Sequence, residues 1–186
     1  LDSRGFGPGG RVETTLLVGL DMGTTRVKAV AVDLAGRVVA EIAEPTPWRH
    51  RGAEADCDPL ELAAAARRVM LALPLDGRWP SNARVAGIGV TGMAETGVLV
   101  DVDDSPLAPA LAWHDPRGRV DLVEAAVGSS SFMRHVGMRL NSKPSVAKIL
   151  WLQSEVPAAR RAVRHLCVGE WIVASFGGQH VGELSL

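Results

Sequence analysis

The 186-residue chain is 47% hydrophobic and 22% charged, with a net charge of −1. That length favours one domain around one good-sized core, and the near-neutral charge excludes an electrostatic footprint for nucleic acid or an anionic membrane. No apolar run approaches the roughly 18 residues of a membrane span, none has signal-peptide architecture, and Cys57 and Cys167 lack metal-ligand spacing.

Residues 1–13 are Gly-rich and aperiodic and read as a disordered extension or expression remnant ahead of a domain over 14–186. Two β-branched runs over about 15–33, joined by a Gly-containing link, predict a β-hairpin. A third strand is expected over Arg37–Ala43, and the Pro-flanked, charged stretch to Asp56 as a loop. Asp58-Pro59 predicts a helix start, with Asp at the N-cap, Pro in the first turn and Glu61 near the free N–H groups; Pro74 ends that helix. Val85–Thr91, almost wholly apolar, is expected as a strand buried on both faces. Gly97–Asp101 predicts another strand, and Asp115-Pro116 opens a second helix running to about Gly128. Helices are expected over Ser145–Gln153 and Ala158–Arg164, and a short one over Gly169–Phe176. The pattern is an α/β mixture with an antiparallel start.

The hairpin link carries the first chemical signal. An apolar run (Leu16, Leu17, Val18, Leu20) ends in Asp21, and Gly23, Thr24 and Thr25 follow. Glycine permits close backbone approach, and exposed N–H groups and hydroxyls hold anions. A carboxylate at such a mouth repels a phosphate unless a cation lies between them. Asp21 with Gly23, Thr24 and Thr25 therefore reads as a Mg²⁺–phosphate site, against the plain alternative that Asp and Thr merely satisfy a turn. Lys28 on the second strand is placed to meet a phosphate or a carboxylate.

Further along, Gly87–Asp101 delivers Met93, Ala94, Glu95 and Thr96 at the tip of a strand, where α/β folds place ligand contacts. An ionised Glu95 only accepts hydrogen bonds, which suits a polyol rich in donors. In Pro109–Arg117, Trp113 offers an indole face for a sugar's C–H surface and Asp115 a carboxylate for its hydroxyls. Asp115 as a plain N-cap and Glu95 as a solvated loop residue are the alternatives. His114 has no metal partner, and Lys148 reads as a structural or rim cation.

The words Asp21-Met-Gly-Thr-Thr-Arg-Val-Lys28 resemble the first phosphate loop of the sugar-kinase, actin and hexokinase superfamily. The ordered set of later segments narrows this to the FGGY carbohydrate kinases: the strand ending at Glu95, Trp113-His-Asp-Pro-Arg117, Ser145-Val-Ala-Lys-Ile-Leu-Trp151 and Gly169–Gly178, with Glu183 near a closing Asp. The resemblance implies a ribonuclease-H-like, actin/hexokinase-type mixed sheet with flanking helices, truncated here at its C-terminal end. It implies ATP and Mg²⁺ as cofactors, a sugar or polyol as substrate, a cytoplasmic enzyme and compatibility with a homodimer. Glu95 falls at the family's sugar-binding position, while Met93 and Ala94 depart from its usual patterns. No residue of the chain matches the family's catalytic base, so 186 residues by themselves are expected to lack turnover. Two other readings stay open: a dehydratase-activator-like ATPase, which needs a cysteine pair for a shared iron–sulfur cluster, and a degenerate domain that binds a sugar or partner without catalysis.

Overall fold

The computed structural model describes residues 13–180; Glu183 lies outside them, as does nearly all of the N-terminal extension. Strands β1 (Thr14–Met22), β2 (Arg26–Asp33) and β3 (Val38–Pro45) form an antiparallel meander. The charged stretch after it is more ordered than expected. It holds a small hairpin, β4 (Arg49–Arg51) and β5 (Glu54–Cys57), to which β8 (Ala110–Leu111) adds a third strand. Helix α1 (Pro59–Ala72) begins as the sequence predicts, with Asp58 accepting a hydrogen bond from the Leu60 N–H at 2.9 Å. It leads into β6 (Ala83–Gly92), which lies parallel to β1 and completes a sheet ordered β3-β2-β1-β6.

Alternation divides this sheet into two faces. Leu16, Val18, Leu20 and Met22 of β1 and Val27, Ala29 and Ala31 of β2 are buried against Leu62, Ala65, Ala66 and Val69 of α1. Alanines on the helix let its backbone approach the sheet closely, and each fully buried Leu or Val contributes about 1.5–3 kcal/mol. The opposite face is open: Leu17 is 44% exposed, and a shallow apolar depression of about 420 Å³ lies between Leu17, Val32, Gly87 and Ile88.

β6 corrects the expectation of a strand buried on both faces. It is an edge strand with β1 as its one neighbour among the described residues, and Val85 and Ile88 are 40% and 52% exposed. Apolar composition signals a strand that other chain elements can cover; whether they do is decided by what packs there. Ile88→Lys is accordingly expected to change stability by no more than about 0.5 kcal/mol. A urea-denaturation loss of several kcal/mol would instead mean that the strand is enclosed.

The remaining elements form a second layer. β7 (Gly97–Val100) pairs with β9 (Arg164–Cys167), and α5 (Val168–Ser175) returns Val168, Trp171 and Ile172 to the main core. The expected helix over Ala158–Arg164 is a 3₁₀ segment, Pro157–Arg161, because pairing with β7 draws the following residues into a strand. The helix expected from Asp115 starts five residues later, as α2 (Val120–Val127). Asp115 turns its carboxylate inward instead of capping. Gly128, at φ 72°, reverses the chain into α3 (Ser129–Val136), which periodicity did not reveal. α4 (Ser145–Glu155) matches its prediction.

Candidate functional site

The β1–β2 register sets Asp21 opposite Lys28 and leaves Gly23, Thr24 and Thr25 as the connection. A hydrogen bond from the Gly23 N–H to the Arg26 carbonyl (3.1 Å) closes the turn. Glycine is required at 23: a Cβ there would lie 2.9 Å from that carbonyl oxygen and 3.4 Å from Asp21 Oδ2. Each of the turn's three carbonyls is anchored from behind. Thr46 Oγ1 donates to Gly23 O (2.7 Å), Trp48 Nε1 to Thr24 O (2.6 Å) and the Thr46 N–H to Thr25 O (3.1 Å). The Thr24 and Thr25 N–H groups make no hydrogen bond among the described residues, which leaves two adjacent amide donors of the turn for an anion. Neither Thr46 nor Trp48 was singled out by sequence, because a Pro-flanked loop gives no pattern that points back to a turn twenty residues away.

Thr24 is the node of the site. Its hydroxyl accepts a hydrogen bond from Trp113 Nε1 at 3.0 Å and contacts Met93 Sδ at 4.0 Å. The phosphate-type turn, the tip of β6 and the Trp113 segment therefore meet at one side chain. Lys143 extends the assembly, with Nζ 5.1 Å from the centre of the Trp113 ring. Glu95 occupies the left-handed region at φ 58°, uncommon for a residue with a Cβ and a feature that clusters at functional sites. Its Oε2 accepts from the Ser145 N–H (2.5 Å) and Ser145 Oγ (2.7 Å), capping α4 from a distant segment. Among the described residues Oε1 has no partner. Lys28 reaches Glu41 on β3 at 2.8 Å, both side chains being nearly half exposed, so in this structure its partner is a carboxylate.

Asp115 corrects the sequence reading most sharply. It is fully buried and both its oxygens are taken. Oδ2 accepts from the Ala55 N–H (2.7 Å) and from Arg117 Nη2 (2.7 Å), and Oδ1 from the Arg117 N–H (2.8 Å). Arg117 also reaches Asp56 at 2.9 Å and stacks over Trp151 at 5.0 Å. Burial pushes the Asp115 carboxyl upward, but the Arg117 guanidinium and two backbone N–H groups outweigh it and hold the group below its ordinary value. A carboxylate so enclosed positions the Trp113 loop, with its lone pairs already taken by protein donors. Trp113 itself is half-buried, held by its bond to Thr24.

The described residues contain no cluster of three or more His, Cys, Asp or Glu side chains placed to share a metal. Cys57 is buried on β5 with its thiol pushed up to about 12, mainly by desolvation, which keeps it protonated and unreactive.

A sequence model of the FGGY family of carbohydrate kinases, N-terminal domain, matches residues 16–186. The chain belongs to this family. The FGGY domain is 30% identical over 184 residues to a glycerol kinase of Herminiimonas arsenicoxydans, covering 91% of this chain and 36% of that enzyme. It is likewise 30% identical over 174 residues to a xylulose kinase of Escherichia coli, covering 91% of this chain and 35% of the relative. The chain thus spans about a third of the length of the curated relatives it matches. Among solved structures, a xylulose kinase from Rhodospirillum rubrum superposes with a TM-score of 0.75 at 29% identity, over 84% of this chain and 33% of that one. The mixed sheet with flanking helices is the actin/hexokinase-like fold of these sugar kinases.

Proposed function

We propose that the enzyme carrying this FGGY domain transfers the terminal phosphoryl group of ATP to a hydroxyl of a sugar or polyol. The observation that carries the reading is the Thr24 node, which joins a turn with unpaired amide donors to Trp113 and to the tip that bears Glu95. The residues fit a magnesium–nucleotide group. Gly23 lets the turn close where a Cβ would collide with the Arg26 carbonyl, and Asp21 stands exposed beside it. Asp21 would hold the magnesium, and the N–H groups of Thr24 and Thr25 the phosphates. Magnesium-bound ATP supplies the phosphoryl group and the positive charge that offsets its negative oxygens.

This chain's residues bind and orient the acceptor. Trp113 presents its indole face to the C–H surface of the substrate, and Glu95 Oε1 accepts from a hydroxyl, turning it toward the turn at 23–25. A fixed carboxylate at 95 opposes an acidic substrate, so neutral polyols and ketoses are favoured over sugar acids. The general base is assigned to polypeptide outside this chain, and the purified 186 residues are expected to show no sugar-dependent ADP release.

Glu95→Ala tests the assignment. In the enzyme carrying this domain, KM for the sugar is expected to rise at least about tenfold, roughly 1.4 kcal/mol, with KM for ATP unchanged within twofold. The substitution also removes the cap on α4, which alone would lower stability but would not separate the two substrates. Equal changes in both KM values would remove Glu95 from the sugar site.

A further inference from the structure

Lys148 is 4% exposed, in the first turn of α4. Both facts run against the usual behaviour of lysine. Its long stem normally carries the ammonium to water, and a cation in the first turn of a helix opposes the helix dipole. What holds it is a pair of backbone carbonyls from two different segments. Nζ donates to Ser142 O at 2.6 Å and to Asp115 O at 3.1 Å. The two segments touch elsewhere as well. The Arg119 N–H donates to Ala147 O (2.9 Å), and Gly118 packs so closely that a Cβ would come within 3.3 Å of Ser142 and Ala147. On one side of this tie lies Trp113, bonded to Thr24; on the other lies Ser145, bonded to Glu95.

We propose that Lys148 is a positioning residue for the site: its buried amine ties the Asp115 loop to the segment that opens α4 and so sets Trp113 against Thr24 and Ser145 against Glu95. The kinetic consequence rests on the sugar-site reading above, whereas the tie itself does not. Lys148 touches neither substrate nor nucleotide in this scheme.

The surroundings of the amine give the tie a signature. Desolvation lowers the Lys148 pKa to about 8, opposed by the Asp115 and Glu95 carboxylates and reinforced by the Arg117 and Lys143 cations. A neutral amine keeps two N–H donors, enough for two carbonyls, so the tie survives deprotonation while the local field changes. The folded value lies below the ordinary 10.5, so between about pH 8 and 10.5 the unfolded chain binds more protons. Wild-type stability therefore rises with pH in that window relative to Lys148→Met.

The test is the indole and amide NMR spectrum of the 186-residue chain from pH 6.5 to 10, with the Trp113 indole assigned by Trp113→Phe. The Trp113 indole and Ser145 amide signals are expected to titrate together near pH 8 in the wild type, while the Trp79 and Trp171 indoles stay still. In Lys148→Met this step disappears, and both signals move from their wild-type positions. A step that appears at one of the two signals and not at the other overturns the proposal without requiring any variant to fold, because a single amine tying both segments must move both. A folded Lys148→Met chain with both signals unmoved also overturns it. In the enzyme carrying the domain, the same variant is expected to raise KM for the sugar about tenfold and leave KM for ATP within twofold. A normal titration with an unchanged sugar KM upholds the tie and overturns the placement of the sugar.

Discussion

Asp21→Asn, in the enzyme carrying this domain, is expected to lower kcat well beyond tenfold, a loss of several kcal/mol in transition-state stabilisation. The amide keeps the size of the carboxylate and its hydrogen-bonding reach but not its charge, so it cannot hold the metal against the phosphates. The fold should be indifferent to the change. Asp21 is exposed at the end of β1, and its side chain makes no hydrogen bond or ion pair among the described residues. The thermal midpoint should therefore stay at the wild-type value, and sugar binding without nucleotide should be nearly unchanged. If Asp21 merely served the turn, the pattern would invert, with stability altered and catalysis intact. Measuring kcat and Tm on the same variant separates the two. Retention of more than about a tenth of wild-type kcat, a loss under roughly 1.4 kcal/mol, would leave the metal role without support.

Asp115→Ala should produce the largest loss of stability, about 3–5 kcal/mol. Removing this carboxylate leaves the Ala55 N–H unpaired in the interior and strips Arg117 of its bidentate partner, while Asp56 and, at 3.5 Å, Glu54 stay near the guanidinium. The Arg117 side chain is only 12% exposed, so water cannot replace what is lost. Acid has the same origin of effect. Asp115 and Asp56 both stay ionised below the ordinary carboxylate value of 3.8, each against the upward push of burial and through hydrogen bonds from Arg117, joined at Asp56 by Arg49. Groups with depressed folded values contribute stability that is present above the unfolded value and lost as pH falls through the folded one. Unfolding free energy from urea titrations should therefore drop steeply below about pH 4. In Asp115→Asn that slope should shrink. A loss below 1 kcal/mol for Asp115→Ala, with an unchanged acid slope, would show that the loop stands without its carboxylate.

Local signals carried the sequence reading a long way. The alternation across β1 and β2, the glycine between them and the Asp58-Pro59 cap each act within a few residues, so their physics is complete in the sequence, and the structure realises all three. The ordered motifs were enough to mark an FGGY-type domain and to single out Thr24 and Trp113, which the fold joins by a hydrogen bond, and Glu95, which lies two residues beyond the Met93 that touches Thr24 and is tied to Ser145. Distance along the chain marks where that legibility ends. Nothing in Arg49–Cys57 signals a hairpin, because its pairing is supported by β8 more than fifty residues away. The apolar run of β6 looked like the centre of a sheet, and its exposure depends on which elements flank it.

Charge was the hardest to read. Asp115 and Lys148 belong to residue types that seek water, and sequence assigned one to the cleft and the other to a structural or rim position. Tertiary structure alone decided that both are enclosed, since only there do the Ala55 N–H, the Arg117 guanidinium and the carbonyls of Asp115 and Ser142 assemble around them. A polar side chain can be buried when its partners are already in place. Those partners come from three separate stretches of chain, around residues 55, 115–117 and 142, and only the Arg117–Asp115 pair is close enough in sequence for spacing to suggest it.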